Sequence, residues 1–373
     1  MFSAVRSSPK AVLYVPEKLH HKIFPSSLRR ITDSAPPFES SQSRRQRRFN
    51  FVDTCLPPTC PCRETPDDPR VGQASANSSI VAYHSYAIMC SGKQDWAPKI
   101  SLDESDPFAR YMTNAFSSRG PFHNPMLKHS IINSSFQSTP SEDGATSVYL
   151  FPEFRYVNVP LQPESIARFI KGFMLSKKIP SGVTDLSPQV ASELRRKPLL
   201  TREFAWSNVN SLTILICGHP SRKKLCSVLG PLLEQEFEEK LQTAGFELSQ
   251  DPPDVEFHKS LEEPFDTTSD WRQKQKFARI GMTSHVGGCN RAGNVIIWIP
   301  PSFSGHPLAG TGVWYGNVEP RHVEGIVNQT IIGGDVIKEL FRGSASQHGP
   351  KPYLPREAAS LEGLDVLPPQ SII

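Results

Sequence analysis

Cys217-Gly-His-Pro-Ser-Arg-Lys-Lys-Leu-Cys226 and Ser284-His-Val-Gly-Gly-Cys-Asn-Arg-Ala-Gly-Asn294 are the two stretches around which the chain reads most clearly. The first closes a strongly apolar run, Leu212 to Ile216, and enters an amphipathic helical pattern; the second is a Gly-rich turn just before another apolar run, Val295 to Ile299. Together they offer soft ligands in two pairs, Cys217 with Cys226 and His285 with Cys289. A metal ligand needs a side chain held at a fixed vector, and strand ends and tight glycine turns provide that. Two close-spaced pairs, far apart in sequence and both at predicted strand edges, predict a four-ligand site. Spacing alone leaves zinc beside iron and sulfur, because three cysteines and a histidine also make a zinc set.

Working outward, Val295 to Pro300 predicts a strand, followed by a turn into Trp314-Tyr315-Gly316, a helix opened by Pro320 and a stop at Gly333-Gly334. The same order occurs earlier, where Val148 to Pro152 and a second strand precede a helix opened by Pro163. From Pro163, apolar residues fall at Ile166, Phe169, Ile170, Phe173 and Met174; from Pro320, Val323, Ile326, Val327, Thr330 and Ile331 take the same offsets. That spacing is one buried helical stripe, with proline at the first helical position in both copies. Cys55 precedes Pro163 by 108 residues and Cys217 precedes Pro320 by 103, which pairs Cys55 with Cys217 and predicts two similar α/β halves from an old duplication. Aligning the halves on Pro152 and Pro300 puts Gln137 and Ser141 opposite His285 and Cys289, and neither ligates iron. The first half is therefore expected to lack a cluster and to act as a structural partner.

These residues resemble the C-terminal half of the thioredoxin-like ferredoxins, and the chain is more closely similar to the fungal sucrase/ferredoxin-like family. The resemblance covers nearly everything after the leader. It implies two thioredoxin-like ferredoxin-type halves, with a two-iron two-sulfur (2Fe-2S) cluster in the C-terminal one. In that family the ligands are two cysteines of a CGH…C segment and two histidines of an HVGGH segment. Cys217, Cys226 and His285 match; Cys289 stands where the family usually has its second histidine. A neutral imidazole in place of one thiolate makes the cluster less negative and raises its potential above that of all-cysteine ferredoxins. The resemblance further implies one-electron transfer or redox sensing in support of mitochondrial thiol quality control, with an electron donor or acceptor protein as partner. That is an electron-transfer role rather than turnover of a substrate.

Composition sets the limits. The 373 residues suffice for two cored domains, and no apolar run approaches the length of a membrane span. Of 41 Lys and Arg and 37 Asp and Glu, ten basic and three acidic residues lie in the first 50 positions, which leaves a mildly acidic body of 31 against 34. Such a body gives no electrostatic reason to expect nucleic acid. The leader, residues 1–48, is Arg- and Ser-rich and acid-poor, as a matrix-targeting presequence is; a disordered cytosolic tail is the plain alternative, and Arg44-Arg45-Gln46-Arg47-Arg48 can also be read as a nuclear address. The expected divisions are a first half at 49–180, a linker at 181–205, a second half at 206–343 and a Pro-rich tail at 344–373. Seven cysteines without a secretory signal point to metal or redox chemistry rather than a disulfide framework.

Other residues admit quieter readings. His219, two positions after Cys217, is expected to bond the turn and support the site from behind. Cys55, Cys60 and Cys62 are candidate redox thiols, with buried structural cysteine as the alternative. Asp95, Asp103, Glu104 and Asp106 show no setting for a matched acid and nucleophile, so glycoside hydrolysis is not expected. A zinc-stapled interaction module and a thiol oxidoreductase using the N-terminal cysteines are the competing functions.

Overall fold

The apolar runs become strands because each is short, rich in β-branched or aromatic residues and bounded by Gly, Pro or polar clusters. The computed structural model describes residues 49–68, 80–81, 83–141, 144–178, 187–219, 225–287 and 292–346. In chain order the elements are β1 (Asn50–Val52), β2 (Ser85–Cys90), α1 (Pro107–Ala115), β3 (His129–Ser134), β4 (Ala145–Phe151), β5 (Arg155–Pro160), α2 (Pro163–Phe169), α3 (Pro188–Glu193) and β6 (Ala205–Asn208). There follow β7 (Leu212–Cys217), α4 (Leu225–Thr243), β8 (Phe246–Leu248), β9 (Glu256–Phe257), β10 (Lys276–Thr283), β11 (Val295–Ile299), β12 (Thr311–Tyr315), α5 (Pro320–Gly325), β13 (Asp335–Ile337) and β14 (Phe341–Ser346). The result is a mixed α/β body dominated by sheet.

Twelve strands join in one mixed sheet in the order β14-β12-β11-β7-β10-β3-β2-β4-β5-β6-β9, with β8 added to β10; β1 pairs apart with β13. From the β10–β3 contact the same pairings run outward in both directions. On one side β10 is parallel to β7, then β7–β11, β11–β12 and β12–β14 are antiparallel. On the other β3 is parallel to β2, then β2–β4, β4–β5 and β5–β6 are antiparallel. The contact is held reciprocally. Ser135 N–H donates to the Met282 carbonyl and Met282 N–H to Ser135 Oγ, both at 2.9 Å. Ser284 N–H likewise donates to the Asn133 carbonyl at 2.9 Å, and Asn133 N–H to Ser284 Oγ at 3.0 Å.

The proline-opened helices form where the spacing predicts. Every residue of both predicted stripes is buried, and each helix widens into π-helical turns, at Ile170–Met174 after α2 and Ile326–Ile332 after α5. Pro231 lies inside α4. Gly245 ends that helix with φ of 81°, a left-handed conformation that costs glycine nothing. The buried stripe of α4 runs through Leu225, Leu229, Leu233, Phe237 and Leu241, and Val228 is exposed.

Two cores lie under the helices, one on each part of the sheet, and a third is shared. In the shared core Phe151 stacks on Trp298 with ring centres 4.4 Å apart, and Tyr86 lies 4.9 Å from Trp314. A one-residue alternation along β2 sends Ala87 and Met89 to one core and Tyr86, Ile88 and Cys90 to the other.

Three segments cross the boundaries drawn from the sequence. Residues 49–65, expected with the first half, pair and bond with the second: β1 on β13, Thr59 and Cys60 on Glu324, Arg63 on Glu236. The expected linker at 181–205 holds α3 and a 3-10 helix, Pro198–Glu203, while β6, expected to open the second half, pairs with β5. Strand β14 continues to Ser346, past the expected start of the tail. Pro-rich and polar composition predicted irregular chain for the linker and the tail, while the placement of 49–65 and β6 followed sequence order; long-range pairing overrode both. The leader at 1–48 and the tail beyond Ser346 lie outside the described residues.

Candidate metal centre

Six consecutive buried residues, Leu212 to Cys217, make β7 a central strand, and its C-terminal end presents the first candidate ligand. The Cys217 backbone is fixed from both neighbouring strands: its N–H donates to the Asn294 carbonyl at 3.0 Å, and Gly218 N–H donates to the Thr283 carbonyl at 3.1 Å. Helix α4 descends beside this strand end. Gly230 lets it approach closely, since a Cβ there would collide with Met282 Cε and lie 3.2 Å from Gly218 Cα. The approach brings Cys226, one turn earlier on α4, to the side chain of Cys217.

The Cys217 thiol is held well below the ordinary thiol range although it is buried; the hydrogen bond with Cys226 is the largest cause, burial opposes it, and His285 and the backbone of His219 and Val286 add to it. A buried anionic sulfur ringed by donors is what a metal thiolate needs. Cys217 and Cys226 are buried, and His285 is exposed. The structure thus brings three of the four predicted ligands together. Cys289 lies outside the described residues. Among those residues no group of three or more His, Cys, Asp or Glu side chains stands ready to hold a metal ion. Two buried thiols and an imidazole in one hydrogen-bonded group still form a soft donor set whose chemistry fits iron and sulfide.

His219 is almost fully buried, with its ring centre 5.9 Å from that of His285 at an interplanar angle of 75°. Burial lowers its pKa, with Cys217 pulling upward and His285 pushing further down. Its Nδ1 has no hydrogen-bond partner among the described residues, and the Pro98 backbone adds an upward pull on its pKa. Pro98 belongs to the loop after β2 that also sends Trp96 into the core beneath the site; Trp96 Nε1 donates to Ser91 Oγ at 2.9 Å.

Arg342 borders the candidate site, and sequence reading missed it. Its buried guanidinium bonds Asn294 Oδ1 and, at 3.5 Å, the Gly287 carbonyl, so it ties together the two flanks of the turn that carries Cys289. A lone basic residue near the predicted tail gave no signal of this, because the contacts span about fifty positions.

The other candidate thiols stand elsewhere. Cys55 Sγ donates to the His322 carbonyl at 3.3 Å, and burial, with Glu339 nearby, pushes its thiol up to about 12. Cys60 is exposed, with Sγ 2.9 Å from Lys240 Nζ and 3.4 Å from Glu324 Oε2. Cys62 is half-buried. The residue opposite Cys217 in the sheet is not Cys55, as the residue count suggested, but Cys90: register links Cys217 to Thr283, Thr283 to Ser134 and Ser134 to Cys90. The count failed because the segment carrying Cys55 precedes β2 and packs on the second half. Around Cys90 the position of His219 is taken by Gly92, where a Cβ would lie 2.8 Å from Gln137 Oε1.

Residues 76–343 match the sucrase/ferredoxin-like family. "Altered inheritance of mitochondria protein 32" of Meyerozyma guilliermondii is 24% identical over 316 residues, 80% of this chain and 97% of that protein. The protein of the same name from Clavispora lusitaniae is 27% identical over 322 residues, 80% of this chain and 98% of its own. "Actin patches distal protein 1" of Saccharomyces cerevisiae is 26% identical over 187 residues, half of this chain and 46% of that one. No solved structure matches significantly. A match across most of the ordered body, including β7, β10 and the turn between β10 and β11, shows that the chain belongs to the sucrase/ferredoxin-like family.

Proposed function

We propose that the protein is a 2Fe-2S electron-transfer or redox-sensing protein, with the cluster held at the end of β7 by Cys217, Cys226, His285 and a fourth donor for which the sequence offers Cys289. The observation that carries this reading is the convergence of Cys226 and His285 on the buried Cys217 sulfur, which holds that thiol well below its ordinary range. When bound, the cluster supplies a one-electron couple. Cys217 and Cys226 contribute buried thiolates. His285 contributes an exposed imidazole, the face through which an electron donor or acceptor protein makes its approach. Arg342 holds the turn and places a buried positive charge nearby, which favours the reduced, more negative state.

The fold reading that accompanies this is two thioredoxin-like halves. On each side of the β10–β3 contact, numbering each half's strands in chain order, the order is second, first, third, fourth, with the third antiparallel to the rest. By the strand register the first half carries Gly92 and Phe136 where the second has His219 and His285, and so serves as a support. Placement in the mitochondrial matrix, with a share in the cytosol, rests on the presequence-like leader and on the names of the relatives. Among the described residues no helix is long and apolar enough to cross a membrane.

The test is a visible spectrum of the full chain purified without oxygen, with iron and acid-labile sulfide counted on the same sample. Broad visible absorption with equal iron and sulfide, lost in Cys217→Ala, is expected. A colourless protein with one tightly held zinc would replace this reading by a zinc-stapled module.

A further inference from the structure

We propose that Cys60 is a peroxide-reactive thiol, placed for oxidation to the sulfenic acid by a small hydroperoxide, with Glu324 taking its proton and Lys240 steadying the charge. The site lies apart from the end of β7 and does not rest on the cluster reading.

Cys60 is the one exposed cysteine among the described residues. Exposure alone would leave it an ordinary surface thiol, but two groups of opposite charge hold its sulfur. Lys240 Nζ, from the last turn of α4, donates to Sγ at 2.9 Å, and Sγ donates to Glu324 Oε2, on α5, at 3.4 Å. A nucleophile within reach of its base, with that base oriented by a third group, is the arrangement that activates a weak nucleophile. The third group here is Thr59, whose N–H and hydroxyl donate to the two carboxylate oxygens of Glu324 at 3.1 and 2.5 Å.

Lys240 is fixed in turn. Its side chain is buried beside the fully buried Glu236, with Nζ 3.4 Å from Glu236 Oε1 and 3.5 Å from Glu239 Oε1. Arg63, on the same segment as Cys60, reaches the same two carboxylates at 2.7 and 3.1 Å. The ammonium is therefore a positioned charge rather than a swinging surface lysine. Contact with Cys60 is the largest cause that lifts its pKa above the ordinary lysine range; burial opposes it and Glu236 adds to it. An accessible thiol against a cation is the setting in which cysteines oxidise selectively. Other cysteines stand differently: Cys55 donates to a backbone carbonyl and burial pushes its thiol up to about 12, and Cys90 is buried and pushed up as well.

In the step itself Sγ attacks the outer oxygen of the hydroperoxide. An S–O bond forms and the O–O bond breaks; sulfur gives up two electrons, and the peroxide is reduced to an alcohol, or to water from hydrogen peroxide. The thiol proton passes to Glu324 and from there to the leaving oxygen, to which Lys240 N–H donates as charge develops on it.

The experiment exposes the full chain, purified without oxygen, to substoichiometric hydrogen peroxide with dimedone present to trap sulfenic acid, and follows each cysteine by peptide mass spectrometry. Cys60 is expected to be labelled ahead of Cys55 and Cys62. Lys240→Met is expected to slow its labelling about tenfold, with Lys240→Arg keeping most of the rate, and Glu324→Gln to slow it likewise. Circular dichroism checks folding, because Lys240→Met removes one of the two cations beside the buried Glu236; if that variant does not fold, Glu324→Gln decides alone. Slowing in either folded variant supports the site. Labelling of Cys60 no faster than of Cys62, or unchanged rates in every folded variant, would overturn the proposal and make Cys60 an ordinary surface thiol, whether or not the sample carries iron.

Discussion

At the scale of single residues, close approach decides the site more than ligand identity does. Gly293, on the C-terminal flank of the turn bearing Cys289, has φ of 81°, and a Cβ there would collide with the Val318 carbonyl. Val318 N–H also donates to the Gly293 carbonyl at 3.1 Å, so backbone would have to move against backbone. Gly293→Ala is therefore expected to destabilise the fold by about 2 kcal/mol or more and to lower iron retention. Chemical denaturation and iron content of the purified variant check both; an unchanged midpoint would show that the turn relaxes freely. Ser284→Ala leaves the buried Asn133 N–H without its acceptor at the β10–β3 contact and is expected to cost about 1–3 kcal/mol by the same measurement. Cys217, Cys226 and His285 were legible as candidate donors, because soft donors in turns after apolar runs have few other uses, and His219 was legible only as a support beside them.

At the scale of elements, buried histidines make stability depend on pH. Burial pushes the His306 ring down to about 4 from an ordinary 6.5, and His129 down to about 3. The neutral forms are favoured in the fold, so the unfolded chain binds protons first as pH falls. Their contribution is fully present above about pH 6.5 and is lost as pH drops through the folded values; for His306 the loss is about 3 kcal/mol. Urea unfolding at pH 7 and pH 4.5 should show wild type losing much of its stability between them and His306→Gln losing less. Equal losses would place the dependence elsewhere. The helices were legible through their stripes and opening prolines: Pro163 and Pro320 each begin a helix whose predicted face is buried. The π-helical ends were not, because i, i+3 and i+4 spacing does not distinguish α from slightly wider turns.

At the scale of the whole molecule, the two parts of the sheet are not independent. They share a core built on Phe151, Trp298, Tyr86 and Trp314, exchange segments through residues 49–65, and lend Trp96 from one part to the core of the other. Unfolding should therefore be a single transition, with far-ultraviolet circular dichroism and tryptophan fluorescence superimposing; separated transitions would show that the halves unfold apart. The recurrence of a proline-opened helix after a pair of strands was legible in the sequence. The crossed segments were not, because composition reports local preference while pairing such as β1 on β13 is set by residues nearly three hundred positions away. The central claim, a one-electron cluster at the end of β7, is tested most directly by electron paramagnetic resonance of the full chain before and after chemical reduction, quantified against iron. The account predicts a silent oxidised sample and, on reduction, one unpaired electron for every two irons, abolished in Cys217→Ala. A sample that stays silent on reduction while holding stoichiometric zinc, or a signal that survives Cys217→Ala unchanged, would contradict it.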